Sequence, residues 1–163
     1  MTFIVGVDPG KTGAIALLDM HNGELVAVED MPAIGKHVNA AVVGDMLNDW
    51  QRLGKIVAIV EDVTSSPQMG VVSAFSFGRS KGIIEGCLGT LSVPVTLVTP
   101  AKWKRDIGLR ADKDAARQLA TNTWPTWADT FRRKKDDGRA EAALMALWGR
   151  SNRASLAAFG GAA

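Results

Sequence analysis

The chain has 163 residues, a single cysteine and a formal net charge of +2, with 47% hydrophobic and 22% charged residues. That length and balance fit one soluble globular domain, residues 1–153, and argue against a disordered chain or a membrane protein, because no run approaches the roughly 18 apolar residues of a span. The lone Cys87 excludes an internal disulfide and a cysteine-based zinc site, reads as a buried structural thiol, and fits a reducing compartment such as cytoplasm.

The first apolar run, Thr2 to Val7, ends in Asp8-Pro9-Gly10, a strand followed by a turn. It is too short for a signal peptide, and an acid follows at once. Gly13 to Asp19 is a second strand, His21-Asn22-Gly23 a turn, and Glu24 to Met31 a third strand by its alternation, so the three form an antiparallel meander. Asn39 to Leu53 carries apolar residues at helical spacing and ends at Gly54. Ile56 to Val60 is continuous, β-branched and apolar, as in a strand buried on both faces, and runs into Glu61-Asp62. Gln68 to Gly89 reads as a long helix whose glycines allow close packing, and Val93 to Val98 as a strand. Helices follow at Pro100 to Ile107, Asp112 to Thr121 and Gly138 to Trp148, and the small residues of 154–163 form a flexible tail. The order predicts an α/β fold with a mixed five-stranded sheet flanked by helices.

The acids are placed where carboxylates are costly. Asp8 and Glu61 each end an apolar core strand, and a carboxylate there needs a partner, a hydrogen bond or a cation. Asp137 and Glu141 are four apart, about 40° around a helix, and share a face; Asp136 and Glu141 are about 140° apart and cannot easily share a ligand. Hard oxygen donors of this kind suit Mg²⁺ or Mn²⁺, and four of them can hold two ions about 4 Å apart for phosphodiester hydrolysis. Taken singly, Asp8 is also a turn acid, Glu61 a strand-end ion pair, and Asp136, Asp137 and Glu141 helix-start acids; the combination points to a nuclease.

Basic charge gathers toward the C-terminus: Lys102 to Arg139 holds eleven Lys and Arg against six Asp and Glu, the footprint of a nucleic-acid surface. Within it Lys102, Lys104 and Arg105 surround Trp103, and Arg132-Arg133-Lys134-Lys135 directly precedes the acids; Arg79 and Lys81 follow Phe75 and Phe77 on the long helix. These are the candidate DNA contacts, against the plain alternative of solvated faces. Trp103 reads as a core anchor, with cover of a DNA sugar or base as the alternative; Trp124, Trp127 and Trp148 are assigned to packing, and His21 and His37 to the surface.

Gly6-Val7-Asp8-Pro9-Gly10-Lys11-Thr12-Gly13, Val60-Glu61 with Phe77 to Gly82, Val98 to Lys104, Ala111-Asp112-Lys113, and Asp137 to Leu147 together resemble, in order and over nearly the whole chain, the RuvC family of Holliday-junction resolvases. The compact form looks like a phage-encoded member. The resemblance implies a ribonuclease H-like fold, metal ligation by Asp8, Glu61, Asp137 and Glu141, and roles near the scissile phosphate for Lys104 and Lys113. It also implies a homodimer that nicks two opposing strands of a four-way DNA junction using two Mg²⁺ or Mn²⁺ ions per site. The chain departs from the cellular pattern in two places. Its last two acids are spaced by four and end in glutamate, not spaced by three and both aspartate. Thr64 stands where many members carry an aromatic against DNA. The alternatives are a nuclease of this fold acting on RNA or unbranched DNA, or a binding module without catalysis. An actin-like phosphotransferase, suggested by the Asp8 turn alone, would need a far longer chain.

Overall fold

The computed structural model describes residues 1–63, 69–110, 112 and 114–152. Among the described residues, seven strands and five α-helices run in the order β1 (Thr2–Asp8), β2 (Ala14–Asp19), β3 (Leu25–Asp30), β4 (Ala33–Ile34), β5 (His37–Val38), α1 (Ala40–Leu53), β6 (Lys55–Glu61), α2 (Val71–Thr90), β7 (Val95–Val98), α3 (Pro100–Asp106), α4 (Ala115–Thr123) and α5 (Asp137–Ser151). Two 3-10 segments, Pro125–Phe131 and Lys134–Asp136, link α4 to α5. The main sheet is five-stranded, ordered β3-β2-β1-β6-β7. β2 is antiparallel to β1 and β3, while β6 is parallel to β1 and β7. This is the mixed sheet expected from the sequence, with the first three strands as the meander.

Side-chain alternation divides the core into two layers. Phe3, Val5, Val7, Ile56, Ala58 and Val60 pack with Val43, Leu47, Ile84 and Leu88 of α1 and α2. Ile4 and Ile59 point the other way, into a cluster with Trp103, Ala142, Leu144 and Ala146. Because successive strand residues change face, Asp8 and Glu61 inherit the face of Ile4 and Ile59, toward α5. The parallel register pairs Val7 with Val60, so the two carboxylates stand one step beyond it as neighbours.

Helix α5 lies directly on β1 because small residues let it. Ala140, Ala142, Ala143 and Ala146 are fully buried. A Cβ on Gly6 would stand 2.0 Å from the Ala142 carbonyl oxygen and 2.8 Å from the Ala146 amide nitrogen. At the helix start, a Cβ on Gly138 would come within 3.0 Å of Gly13 and of the Thr12 oxygen; near its end, one on Gly149 would meet Ile59 at 2.7 Å. The first two turns of α5, which carry Asp137 and Glu141, are thereby pressed to the edge where β1 and β6 end.

Several sequence expectations need correction. The pair β4–β5, turning at Gly35 with φ +58°, had no separate signal. Helix α4 starts at Ala115 rather than Asp112, because the Asp112 carboxylate accepts from the Asp114 amide in a turn. Gly78, Gly82, Gly86 and Gly89 on α2 face open space instead of a packed neighbour. Cys87 is only half-buried. Gln68, Thr64, Lys113 and the 154–163 tail lie outside the described residues.

The glycine contacts yield a direct test. Gly6→Ala must displace α5 backbone, and overpacking of this kind costs on the order of 1–3 kcal/mol or more. A melting temperature lowered by at least about 3 °C is expected. Gly44→Ala, in mid-α1 with open space around it, is the control and should hold or raise the melting temperature. Equal effects of the two would mean that α5 does not rest on Gly6.

Candidate active site

Asp8 ends β1, half-buried, and its Oδ1 accepts from the Gly10 amide at 3.3 Å. Gly13 must be glycine here, since a Cβ would sit 2.1 Å from the Asp8 carbonyl oxygen; the turn therefore folds tightly back over the carboxylate. Burial pushes the Asp8 carboxyl up from 3.8 to about 7, helped by the charges of Glu61 and Glu141 and opposed by the Gly10 amide and Lys104. Glu61 is 5% exposed. Burial raises its carboxyl as well; the Trp103 indole, donating to Oε1 at 2.8 Å, and Lys104 hold it down, while Glu141 pushes it further up. Trp103 is thus the core anchor expected and also a wall of the site, a role that no spacing signals.

Glu141 rises from the first turns of α5. Its Oε1 accepts from Lys104 Nζ at 2.6 Å, and that ammonium also stands 5.2 Å above the Trp103 ring. The charges of Glu141 and Lys104 therefore act on both Asp8 and Glu61. Asp137, one turn earlier, is held differently: Arg117 Nε donates to its Oδ1 at 2.7 Å. With Glu141 it lines a cleft of about 470 Å³, together with Lys104, Arg110 and Asp112 among others. Asp136 does not. It is 1% exposed and engaged by the Arg133 amide at 2.7 Å and guanidinium at 2.8 Å, which hold its carboxyl below the usual range.

Among the described residues, no three His, Cys, Asp or Glu side chains form a ready-made metal cage. The donor chemistry nonetheless fits a hard divalent cation. Burial raises both Asp8 and Glu61, with Glu61 and Glu141 adding to the first and Glu141 to the second; this marks uncompensated negative charge, and all the donors are oxygens.

The basic candidates divide. Lys104 is inside the site. Lys102 pairs with Asp106 at 2.9 Å and Lys81 with Asp62, while Arg79 lies 3.2 Å from His37. Arg105, Arg132, Lys134 and Lys135 are exposed, and Arg133 is clipped to Asp136. Arg117 is the functional candidate that sequence reasoning passed over, since a separation of twenty residues from Asp137 carries no pattern.

The chain matches no protein-family model. Over 84 residues it is 34% identical to the chloroplastic Holliday junction resolvase MOC1 of Chlamydomonas reinhardtii, a match covering 50% of this chain and 10% of that protein. The chain's match thus spans about a tenth of that relative's length. Its fold is that of Thermus thermophilus RuvC. Against RuvC in complex with a Holliday junction substrate the TM-score is 0.65 at 15% identity, covering 93% of this chain and 96% of that one. Against another T. thermophilus RuvC structure it is 0.61 at 14% identity, covering 94% and 97%. The RuvC-like, ribonuclease H-like architecture read from the sequence is therefore the architecture found. Among the described residues no helix is long and apolar enough to cross a membrane.

Folding raises the Asp8 pKa from 3.8 to about 7, so the stability linked to its proton is fully present below about 3.8 and is lost as the pH rises through about 7. In EDTA, Asp8→Asn should raise the melting temperature, by more at pH 8, where the native carboxylate is charged, than at pH 5, where it is protonated. The same gain at both pH values would show that Asp8 is not part of a strained carboxylate group.

Proposed function

We propose that this protein is a divalent-metal-dependent endonuclease that resolves four-way DNA junctions by paired nicks. The observation that carries the proposal is the convergence of Asp8, Glu61 and Glu141 around Lys104 at one sheet edge, beside a cleft that Lys104 and Arg110 line together with Asp112, Asp137 and Glu141. The RuvC fold and the partial identity to a Holliday junction resolvase support the junction as substrate.

Asp8, Glu61, Asp137 and Glu141 are the proposed ligands of Mg²⁺ or Mn²⁺, two ions per site, which would supply Lewis acidity at the phosphodiester and a water of lowered pKa. The chain's own groups prepare that chemistry. The Gly10 amide fixes the Asp8 carboxylate, and the fully buried Trp103 indole fixes one oxygen of Glu61. Lys104 brings a positive charge to Glu141 at the cleft, where an incoming phosphate gains from it. Lys113, in the segment before α4, is proposed to act beside the scissile phosphate. Arg79, Lys81, Lys102, Arg105 and Arg132 to Lys135 are proposed to hold the DNA backbone; such contacts position a duplex without reading its sequence.

A junction offers two related strands, and a two-fold dimer suits it. The support for a homodimer here is the outer side of α2: Val71, Val72 and Phe75 are exposed, Phe75 by 73%, and Gly78 and Gly82 continue the same side with open space above them.

The test is a cleavage assay on a mobile four-way junction beside a linear duplex of the same sequence, in Mg²⁺ and in Mn²⁺, with wild-type protein and Asp8→Asn. Paired symmetric nicks confined to the junction are expected. Asp8→Asn should abolish cutting while binding the junction as well or more tightly, because one negative charge no longer repels phosphate. Equal cutting of the duplex would remove the junction claim, and wild-type rates from Asp8→Asn would remove the metal-site assignment.

A further inference from the structure

We infer that Arg117 is a positioning residue for Asp137, setting the geometry in which α5 presents its two acids to a cation; the role given to Asp137 rests on the metal-nuclease reading. All three faces of the Arg117 guanidinium are engaged. Nε donates to Asp137 Oδ1 at 2.7 Å, Nη1 to the Arg132 carbonyl at 3.0 Å, and Nη2 to Asp114 Oδ1. The side chain is only 12% exposed. One planar fork of fixed shape thus joins α4, the first turn of α5, the basic segment that begins at Arg132 and the turn that precedes α4.

An ion pair serving only the fold would not need to leave its acid at the mouth of a cleft. Asp137 remains 50% exposed and lines the cavity with Lys104, Asp112 and Glu141. Among the described residues its side chain accepts through Oδ1 alone, which leaves Oδ2 for the cleft. Glu141 lies one turn further along the same helix face, and a half-exposed Asp137 without a partner is free to take other rotamers. Arg117 fixes one of them with a charge that cannot be lost by deprotonation. Hydrogen-bonding partners of this kind behind a ligating carboxylate commonly alter metal affinity by about 10–100-fold.

The experiment measures Mn²⁺ binding to the DNA-free protein, by the electron paramagnetic resonance signal of free Mn²⁺, for wild type, Arg117→Ala, Asp137→Asn and the double variant, with single-turnover junction cleavage alongside. Arg117→Ala should weaken Mn²⁺ binding at least about tenfold and slow cleavage in parallel, yet add less than about twofold to Asp137→Asn. An equal loss with and without Asp137 would make Arg117 a brace of the fold only, and an unchanged Mn²⁺ affinity in Arg117→Ala or in Asp137→Asn would overturn the inference outright. If Arg117→Ala does not fold, Arg117→Lys carries the test: it keeps the charge and the stem but loses the fork, and should weaken Mn²⁺ binding several-fold at an unchanged melting temperature, whereas wild-type affinity would count against the inference. Because binding is read without DNA, a wild-type protein that binds Mn²⁺ but cuts no junction fails the substrate reading alone.

Discussion

The close approach of α5 to β1 is the constraint on which the rest of the structure depends. At Gly6 the helix backbone of Ala142 and Ala146 occupies the space of the missing side chain, and the buried alanines of α5 leave no bulk to hold the two elements apart. Strand alternation sends Asp8 and Glu61 to the same face, and the helix start is clamped there by Gly138 against the Thr12-Gly13 turn. A bulkier interface would lift Glu141 away from the sheet edge. Close packing therefore sets the electrostatics of the site.

Those electrostatics are unfavourable by construction. Burial and the charge of Glu141 raise Asp8 and Glu61, and Glu61 raises Asp8 further; the protein opposes them with a few groups only: an amide at Gly10, an indole at Trp103, and one ammonium at Lys104 shared with Glu141. A neighbouring set of acids is treated in the opposite way. Asp136 and Asp30 are matched by Arg133 and Arg139, and their carboxyls are held below the usual range. Two adjacent residues, Asp136 and Asp137, thus have different tasks: one closes the start of α5, the other faces the cleft. Strain kept at one edge while the neighbouring Asp30 and Asp136 are paired is the pattern of a site prepared for a ligand of opposite charge.

Asp8 and Glu61 were legible in the sequence because an acid at the end of an apolar run violates the pattern of its own strand. Asp137 and Glu141 were legible because a spacing of four fixes a shared helix face whatever the tertiary structure. The mixed five-stranded sheet followed from strand order and hydrophobic runs for the same reason, that its signals are local. What escaped was non-local or nearly patternless. Arg117 reaches Asp137 across twenty residues and an intervening pair of 3-10 segments. Trp103 donates to Glu61 across forty-two. The strands β4 and β5 have two residues each, too few for periodicity. The glycines of α2 suggest packing sites in the sequence because small residues permit close approach; whether a neighbour is present is a tertiary fact, and among the described residues none meets Gly78, Gly82, Gly86 or Gly89.

The central claim, that the α5–β1 contact gathers these carboxylates into a site for a divalent cation, is tested most directly by anomalous diffraction from crystals of the protein soaked in Mn²⁺. The account predicts an anomalous peak bounded by oxygens of Asp8, Glu61 and Glu141, absent from crystals of Asp8→Asn treated in the same way. Mn²⁺ bound only elsewhere, or no peak among these side chains at millimolar Mn²⁺, would contradict it.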